Sequence, residues 1–365
     1  MRQTSITPSG TLTYPDDIVF ANMPQPIELN GTSLEAIVIE VAGVGRFTYR
    51  VYNRKAVADI AEMVRAKFGN MRGGEAINPA NRSVLVTVKV LNSSLATLFS
   101  FTMTAFWGAL EPFERTAFFG AYAFDENDQM WHRAVRWFDN FPMSIETIAS
   151  TGSHYMIAKD GNPYGAPVNI SPTKVVSIDP SNELAGVSEF ANILVEVVPN
   201  DTNVFDATFD FTFTNIIALY QQEIKVYRDN SACGYFLRWI DRQGILQYYL
   251  FERGTISEKS SDGESFDVPT IRAGVAYPDI IRTERKAIEK SMKIAALLVP
   301  IEEARAVVSI GTASVVDLYV GKSEKGEDLW LPVNVKAGTL SIIEKDRAQD
   351  VEVEIELPTA PTQKL

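Results

Sequence analysis

The fold class follows from the stretch Phe99-Ser100-Phe101-Thr102-Met103-Thr104. Large apolar residues alternate there with hydroxyl residues, and a period of two predicts a β-strand with one buried and one solvated face. The surrounding segment 90–110 contains no charged residue and is long enough to cross a bilayer as a helix. Its six serine and threonine residues and its alternation favour a β-hairpin instead, so we predict no membrane span.

Similar alternation along the chain predicts a mainly β protein built from β-sandwich domains. The glycine-containing runs Gly43-Val44-Gly45 and Arg242-Gln243-Gly244 lie between β-rich segments and predict hairpin turns. The segment 284–299 fits a helix or a strand, and its alternation favours the strand. Strands are predicted at about 37–41, 47–51, 83–91, 97–107, 133–139, 143–149, 193–197, 208–214, 234–240, 245–251, 314–320, 330–336 and 350–356.

Two short helices are predicted to flank the strands. Apolar residues recur at helical spacing over about 54–68, with Asn53 as an N-cap and Gly69 as a stop signal. Pro300 and two following glutamates favour a second helix over about 301–310, because proline and acidic residues suit a first turn. Loops are predicted at 112–131, which is rich in aromatic residues, and at 255–266, which is polar.

The length of 365 residues predicts about two domains. Residues 1–34 are rich in Pro, Thr and Asn and are predicted to form an extended arm or loop. Residues 35–175 and 185–358 are predicted to be two β-rich domains, and 359–365 a flexible tail.

The two halves share segments in the same order. Arg136-Trp137-Phe138-Asp139 parallels Arg238-Trp239-Ile240-Asp241. Two further parallels join 84–88 to 193–197 and 99–104 to 209–214. A duplicated β-domain explains these parallels, and so does a coincidence between alternating strands.

The composition is acidic, with a net charge of −12. Affinity for nucleic acid comes mostly from Lys and Arg residues that neutralise phosphates, so DNA is not expected as a tightly bound ligand. The charge fits an ordinary soluble acidic surface, and it also fits a lumen through which DNA passes without being held. The single cysteine, Cys233, excludes an intrachain disulfide and a cysteine-based zinc site, and is predicted to be a buried structural residue. The first eight residues lack an apolar core, so no signal peptide is expected.

No catalytic signature stands out in the sequence. The two histidines, His132 and His154, are predicted to be surface or packing residues, since no Gly-x-Ser-x-Gly elbow accompanies them. The segment 201–210 fits a turn better than a calcium loop; its candidate ligands are Asp201, Asn203, Asp206 and Asp210. We predict no catalytic residue, metal or cofactor, although a carboxylate pair for glycoside hydrolysis stays open among 46 acidic residues.

Aromatic residues concentrate on two predicted strands. A sugar-binding platform or a cation–π ladder is one interpretation of these residues, and it gives a carbohydrate-binding or adhesion module as the alternative function. Alternation along the strands favours core and cross-strand packing instead. The residues concerned are Arg238, Trp239, Arg242, Tyr248, Tyr249 and Phe251.

One region resembles a known family. Its first motif is Cys233-Gly234-Tyr235-Phe236-Leu237-Arg238-Trp239-Ile240-Asp241-Arg242-Gln243-Gly244, followed by Gln247-Tyr248-Tyr249-Leu250-Phe251. Three later motifs are Val315-Val316-Asp317-Leu318-Tyr319, Trp330-Leu331-Pro332-Val333-Asn334-Val335 and Asp350-Val351-Glu352-Val353-Glu354-Ile355-Glu356-Leu357-Pro358. In order and spacing they resemble tail-region structural proteins of phages and prophages from Bacteroidales bacteria.

The resemblance covers about residues 190–358 and brings no active site with it. It implies a β-rich, tail-tube-like virion protein, similar to distal-tail or baseplate components. Such proteins form hexameric or pseudo-hexameric rings and join the tail tube to the adhesion machinery.

Our hypothesis is therefore a structural protein of a phage tail or baseplate, made in the cytoplasm of the bacterial host and located in the virion. Its expected partners are further copies of the chain and other tail proteins. Arg238 and Asp241 are predicted either to form an ion pair near the turn or to be simple strand-end residues. The residues predicted to matter for structure or assembly are Arg136, Trp137, Asp139, Arg238, Trp239, Asp241, Gly244, Trp330 and Pro332.

Overall fold

The computed structural model describes most of the chain. The described residues are 1–6, 10–69, 71, 74–109, 118–119, 122–125, 130–149, 153–160, 162–170, 174–184, 193–199, 221–262, 265–272, 275–283, 286–336, 338, 340, 342 and 347–358. In this part the chain is mainly β with a few short helices, as the alternation predicts.

The first nine strands form two sheets around one hydrophobic core. They are β1 (Arg2–Ile6), β2 (Gly10–Tyr14), β3 (Ile18–Phe20), β4 (Pro26–Asn30), β5 (Ala36–Val41), β6 (Gly45–Arg50), β7 (Lys55–Asp59), β8 (Ser83–Asn92) and β9 (Thr97–Phe106). The strand orders are β1-β2-β4-β7 and β3-β9-β8-β5-β6. Buried residues of both sheets, such as Leu12, Ile27, Ile39 and Val88, share one cluster, so the two sheets form a β-sandwich.

Residues 1–34 are not an extended arm, and that prediction is wrong. They supply three strands of the first sheet and one strand of the second. Each strand carries few apolar residues, but these fall on the core side, as Leu12 and Tyr14 do in β2 and Ile27 and Leu29 do in β4. A polar composition conceals short strands of this kind because two buried side chains are enough once neighbouring strands complete the ladder.

The first predicted helix is shorter than expected. Residues 55–59 form β7, in which Ala56 and Ala58 are buried in alternation, and the helix α1 spans Ala61–Ala66. The Asp59 carboxylate accepts hydrogen bonds from Ala61 N (3.0 Å) and Gln25 N (2.8 Å). Asp59, and not Asn53, therefore marks the passage from strand to helix. A second short helix, α2 (Gly74–Ile77), and a 3₁₀ turn (Pro79–Asn81) follow.

The uncharged segment 90–110 is confirmed as part of a hairpin over its strand residues. β8 and β9 pair antiparallel from Ser83↔Phe106 to Leu91↔Thr97. Among the helices that the described residues form, none has both the length and the apolar character needed to cross a bilayer.

The next strands build a seven-stranded sheet and a short ladder. They are β10 (Phe118–Phe119), β11 (Tyr122–Asp125), β12 (Met130–Phe138), β13 (Ile145–Ala149), β14 (Ser153–Lys159), β15 (Asn162–Ile170), β16 (Lys174–Ile178), β17 (Ile193–Pro199) and β18 (Gln221–Asp229), with α3 (Pro180–Glu183) before β17. The sheet order is β10-β11-β12-β18-β17-β14-β15, with β12 and β18 parallel, and β13 pairs with β16.

The last strands build a second seven-stranded sheet. They are β19 (Tyr235–Ile240), β20 (Leu246–Phe251), β21 (Arg253–Asp262), β22 (Ser265–Arg272), β23 (Val275–Thr283), β24 (Lys286–Pro300), β25 (Val316–Lys322), β26 (Asp328–Val335) and β27 (Ala348–Leu357). The helix α4 (Ile301–Val308) and a 3₁₀ turn (Ser309–Thr312) follow β24. The sheet order is β20-β19-β25-β26-β27-β24-β21, and β22 pairs with β23.

One hydrophobic cluster joins both seven-stranded sheets and α4. Trp137 and Ile224 of the first sheet are buried with Trp239 and Ile294 of the second and with Val307 of the helix. This cluster contains residues on both sides of the predicted boundary between the two domains at 175–185. The domain boundary stays a prediction, since burial in a shared cluster does not show whether the two parts fold as one unit or as two.

The structure confirms the predicted C-terminal strands, the strand interpretation of 284–299 and the helix near 301–310. The loop predictions for 112–131 and 255–266 are wrong, because described residues in both form strands. In β21 the described side chains from 254 to 260 are all exposed, so its polar sequence reflects a two-sided solvated strand and not a loop. The strand predicted at 208–214 and the tail at 359–365 lie outside the described residues.

Candidate functional site

The turn between β19 and β20 is held by its own aspartate. The Asp241 side chain accepts hydrogen bonds from Gln243 N and Ile245 N, both at 2.9 Å. Its backbone N–H donates to Ile245 O at 2.9 Å, and Gly244 N donates to Asp241 O at 3.0 Å. Aspartate stabilises turns in this way because its short carboxylate reaches the amides that follow it. The predicted hairpin turn at 242–244 is therefore confirmed.

A buried ion pair lies directly against this turn. The side chains of Arg82 and Glu146 are 0% and 1% exposed, and they form two parallel bonds, Nη1–Oε2 at 2.7 Å and Nη2–Oε1 at 2.5 Å. Arg82 also donates to Gly244 O (2.7 Å) and Ile77 O (3.2 Å), while Leu246 N donates to Glu146 Oε2 (2.8 Å). Bidentate geometry and these further bonds satisfy the charges that burial would otherwise penalise.

A second arginine connects the ion pair to the aspartate of the turn. Arg133 Nη1 donates to Glu146 O (2.8 Å) and Nη2 donates to Gln247 Oε1 (2.7 Å). Gln247 Nε2 in turn donates to Asp241 Oδ2 at 2.8 Å. Burial raises the pKa of Asp241, although the hydrogen bonds from Ile245 and Gln247 and the charge of Arg133 oppose that shift.

Two glycines let another backbone segment approach the same turn. Ala109 N donates to Arg242 O at 2.7 Å. Gly244 has φ +84°, and a Cβ there would overlap the carbonyl oxygen of Trp107. A Cβ on Gly108 would overlap the carbonyl oxygen of Gln243 in the turn. The two backbones can meet only without side chains at these positions.

We call this group the turn junction: Arg82, Arg133, Glu146, Asp241 and Gln247 with the backbone of Gly108 and Gly244. Its two arginines and two carboxylates balance in charge, and all five side chains belong to residues that are buried. It connects the end of the first sandwich to both seven-stranded sheets. Because its polar groups bind one another and are closed to solvent, the arrangement suits a structural crosslink and not a substrate site.

A second set of contacts joins β12 to β18 and to the helix α4. It includes three of the residues predicted to matter for structure or assembly, Arg136, Trp137 and Asp139. Arg136 binds Glu303 of α4 through Nε and Nη2, both at 3.0 Å, and Asp229 through Nη1 at 3.1 Å. Burial alone would lower the pKa of Arg136, but Glu303 and Asp229 raise it. This arginine fixes the helix to β12 and β18.

Trp137 and Asp139 share a different arginine. Arg228 Nε donates to Asp139 Oδ2 at 2.9 Å, and its guanidinium lies 4.9 Å from the centroid of the Trp137 ring. Trp137 is 4% exposed. The two residues therefore hold neighbouring strands together, since β12 and β18 run parallel at this point.

Arg238 does not pair with Asp241, and that predicted ion pair is wrong. Residues three apart on a strand point to opposite faces of the sheet. Arg238 instead donates to Asp317 Oδ2 at 2.9 Å, directly across the β19–β25 ladder. Its guanidinium lies 4.0 Å from the centroid of the Trp330 ring, so Arg238 connects three adjacent strands.

Trp239 and Pro332 have structural roles that the sheet explains. Trp239 is 0% exposed, and its Nε1 donates to Ser309 Oγ at 2.8 Å, which ties β19 to the turn after α4. Pro332 lies on β26 opposite Asp317. The ladder between β26 and β27 joins only residues 334–335 to 355–356, so the proline lies where a missing N–H removes no ladder bond to β27.

The aromatic residues on β19 and β20 are mostly core residues. Trp239, Tyr249 and Phe251 are at most 7% exposed. Phe236 stacks on Phe141 and Tyr248, with ring centroids 4.6 Å and 5.8 Å apart. These rings serve core and cross-strand packing, which is the interpretation that the alternation favours.

The histidines and the cysteine form no recognisable catalytic group in the described part. His132 Nδ1 lies 3.3 Å from Glu223 Oε1 near the surface. Cys233 is exposed, so the prediction that it is buried is wrong. The side chain of His154 and residues 201–210 lie outside the description. Among the described residues, no three His, Cys, Asp or Glu side chains lie together as a metal site would require.

No protein-family model matches the chain, and no curated protein matches it. The resemblance of 233–251 and 315–358 to phage tail proteins therefore stays a prediction from the residues themselves.

The partly buried phenol of Tyr248, on β20, predicts how the stability of the fold depends on pH. Burial raises the pKa of Tyr248 to about 12, and the charge of Glu146 adds to that shift while Ser144 and Arg238 oppose it. A phenol whose pKa is raised on folding contributes stability that is present below pH 10 and lost as the pH rises to about 12. A shift of two units corresponds to about 3 kcal/mol.

We therefore expect Tyr248→Phe to make the free energy of unfolding fall less steeply between pH 10 and pH 12. Urea unfolding across this interval measures the difference, since phenylalanine keeps the ring and removes the ionisable group. Tyr52, which is 79% exposed, provides the control substitution Tyr52→Phe. An unchanged pH dependence in Tyr248→Phe would show that this phenol is not protected by the fold.

Proposed function

We propose that the chain is a structural protein of a phage tail or baseplate, and that its copies form a ring connecting the tail tube to other tail components. One observation carries the proposal. The segments that resemble the tail proteins fold into β20, β19, β25, β26 and β27, which are consecutive neighbours in one sheet. The resembling segments thus lie side by side in one sheet and are not scattered over the fold.

The predicted assembly residues also support a structural role. Arg136, Arg238 and Asp241 each bind residues on other strands, on the helix or in the turn. Such crosslinks make a subunit rigid, and a ring closes only when each subunit repeats the same rotation. The virion as location, synthesis in the host cytoplasm and contacts with other tail proteins belong to this proposal.

The charge supports passage of DNA and not its retention. A chain with a net charge of −12 gains little from phosphate contacts, since lysines and arginines provide that affinity. A lumen formed by acidic subunits would let duplex DNA move without binding it tightly.

The two rival functions have less support. The carbohydrate-binding alternative depends on exposed rings, but Trp239, Tyr249 and Phe251 are buried and Arg238 lies over a face of Trp330. The hydrolase alternative depends on two available carboxylates. Among the described residues, the buried carboxylates are all engaged by arginines or turn amides; they are Glu146, Asp241, Glu303 and Asp317.

Negative-stain electron microscopy of the purified chain, together with its mass in solution, tests the proposal. We expect closed rings with a central hole wide enough for duplex DNA, and a mass that is a whole multiple of 40.5 kDa. A protein that stays monomeric at micromolar concentration, and that is absent from purified virions, would contradict the ring function.

A further inference from the structure

The sequence contains one Asn-Gly pair, Asn30-Gly31, and it lies where the strand β4 ends. Asparagine is a chemically labile residue. A glycine after it favours attack of the next backbone nitrogen on the side-chain amide, because no Cβ obstructs the approach. Asn30 is half-buried and Gly31 is exposed. The pair therefore combines the least hindered sequence for this chemistry with a position that water can reach.

The backbone nitrogen of Gly31 lies between hydrogen bonds without taking part in one. Thr32 N donates to Arg54 O at 3.2 Å, and Gly31 O accepts from Arg54 Nη2 at 3.1 Å. Among the residues that the structure describes, none accepts a hydrogen bond from Gly31 N. This nitrogen can therefore turn toward the side chain of Asn30 without the loss of a hydrogen bond.

Gly31 also has the backbone freedom that ring closure needs. Its φ is +75°, and a Cβ there would meet nothing within 4 Å, so neighbouring conformations are open to it. Asn92, by contrast, is held by its own turn. Its Oδ1 accepts hydrogen bonds from Ser94 N (3.0 Å) and Ala96 N (2.9 Å). A side chain fixed in this way is less available for attack, so Asn92 provides an internal comparison.

We propose that Asn30 is a site of spontaneous covalent modification, through which the first sandwich changes with age. The Gly31 nitrogen bonds to Asn30 Cγ, the Cγ–Nδ2 bond breaks, and ammonia leaves with the proton of the Gly31 N–H. The product is a cyclic imide. Water then opens the ring at either carbonyl and leaves an aspartate or an isoaspartate, in which the main chain passes through the side-chain carbon atoms. Water is the only other reactant, and the site does not depend on the ring function.

The isoaspartate product would disturb a crowded point of the sandwich. Asn30 pairs with Thr11 of β2 and with Lys55 of β7, and a Cβ on Gly10 would overlap the Asn30 carbonyl oxygen. The extra main-chain carbon of isoaspartate displaces one side of this position relative to the other. A ladder tolerates such a displacement poorly, since register decides which face each side chain occupies. We therefore expect the isoaspartate form to have a lower free energy of unfolding.

The aspartate product changes only the charge. Lys55 Nζ lies 2.8 Å from Glu28 Oε2, and the pKa of Glu28 is lowered mainly by Lys55, with Asn30 adding to the shift. An aspartate at position 30 is repelled by Glu28 and attracted by Lys55, which lies opposite it in the ladder. Because these charges are near the surface and solvent screens them, Asn30→Asp is expected to change stability little.

Peptide mass spectrometry of the folded full chain, incubated in mildly alkaline buffer, tests the site. We expect the peptide with Asn30 to exchange the mass of an NH2 group for that of an OH group, while the peptide with Asn92 stays unchanged. Gly31→Ala is the matched variant. Its methyl group meets open space in the fold but obstructs the attacking nitrogen, so conversion is expected to slow at least about tenfold. Urea unfolding verifies that this variant is folded.

Three results would overturn the proposal. The fold protects the amide if Asn30 stays intact in the folded chain and converts only in urea. Equal rates in the wild type and in Gly31→Ala would mean that the Gly31 nitrogen is not the attacking group. Urea unfolding of the incubated chain tests the loosening of the sandwich, with Asn30→Asp as the control for charge. An incubated chain that contains isoaspartate and is as stable as Asn30→Asp would contradict that loosening.

Discussion

Replacing Gly244 with alanine is expected to lower the free energy of unfolding by more than about 4 kcal/mol, a loss that single substitutions seldom reach. Two effects combine at this position. The backbone has φ +84°, where an L side chain is strained, and the new Cβ would overlap the carbonyl oxygen of Trp107. Relief of the overlap requires the two backbones to separate, and this breaks the hydrogen bond from Ala109 N to Arg242 O.

Two other glycines separate these effects. Gly326 has nearly the same φ, +82°, with nothing near its missing Cβ, so Gly326→Ala is expected to lose about 1–2 kcal/mol from strain alone. Gly108 lacks the positive φ but would overlap the turn, so Gly108→Ala reports the contact alone. Urea unfolding of the three variants measures each loss. Equal losses at Gly244 and Gly326 would mean that the close approach of the backbones is unimportant.

The sequence predicts the hairpin around Gly244 because its signals are local. Alternating strands on both sides and a glycine between them identify β19, the turn and β20 without knowledge of the rest of the chain. The same is true of β8 with β9 and of α4. These elements are correct because each one satisfies its hydrogen bonds with residues close in sequence.

The sequence does not predict the partners of the turn junction. Arg82 directly precedes the predicted strand at 83–91, and Glu146 is 64 residues further along. No periodic pattern joins residues at such a separation, because their proximity depends on how three sheets pack. The sequence carried no signal for its burial, because Glu146 shares a face of the predicted strand 143–149 with Ser144 and alternation makes that face the solvated one.

The failed prediction for Arg238 has a similar cause. Its sequence neighbour Asp241 is close in number but on the wrong face, while Asp317 is distant in number and directly opposite in the ladder. The chain offers 46 acidic residues, so only the pairing of β19 with β25 identifies the one that Arg238 binds. Polar contacts between strands were thus beyond what the sequence alone could assign.

The Arg82–Glu146 pair gives the second large expected effect. Glu146→Gln leaves the Arg82 guanidinium, which is 0% exposed, without a countercharge, and the expected loss is about 3–5 kcal/mol of unfolding free energy. Arg82→Met leaves the Glu146 carboxylate in the same position and is expected to lose a similar amount. The cause in both variants is the charge that stays buried after its partner has gone.

The double variant Arg82→Met with Glu146→Gln tests that cause. It removes both charges, and the new glutamine still accepts from Leu246 N, so we expect it to be no less stable than either single variant. Urea unfolding of the four proteins gives the coupling between the two sites. The exposed pair Lys336–Glu354, with a similar separation of 2.6 Å, is the control, and Glu354→Gln should change stability little because solvent screens that charge. If the losses of the two single variants simply add in the double variant, the pair does not act through its buried charges, and the turn junction is held by packing and backbone bonds instead.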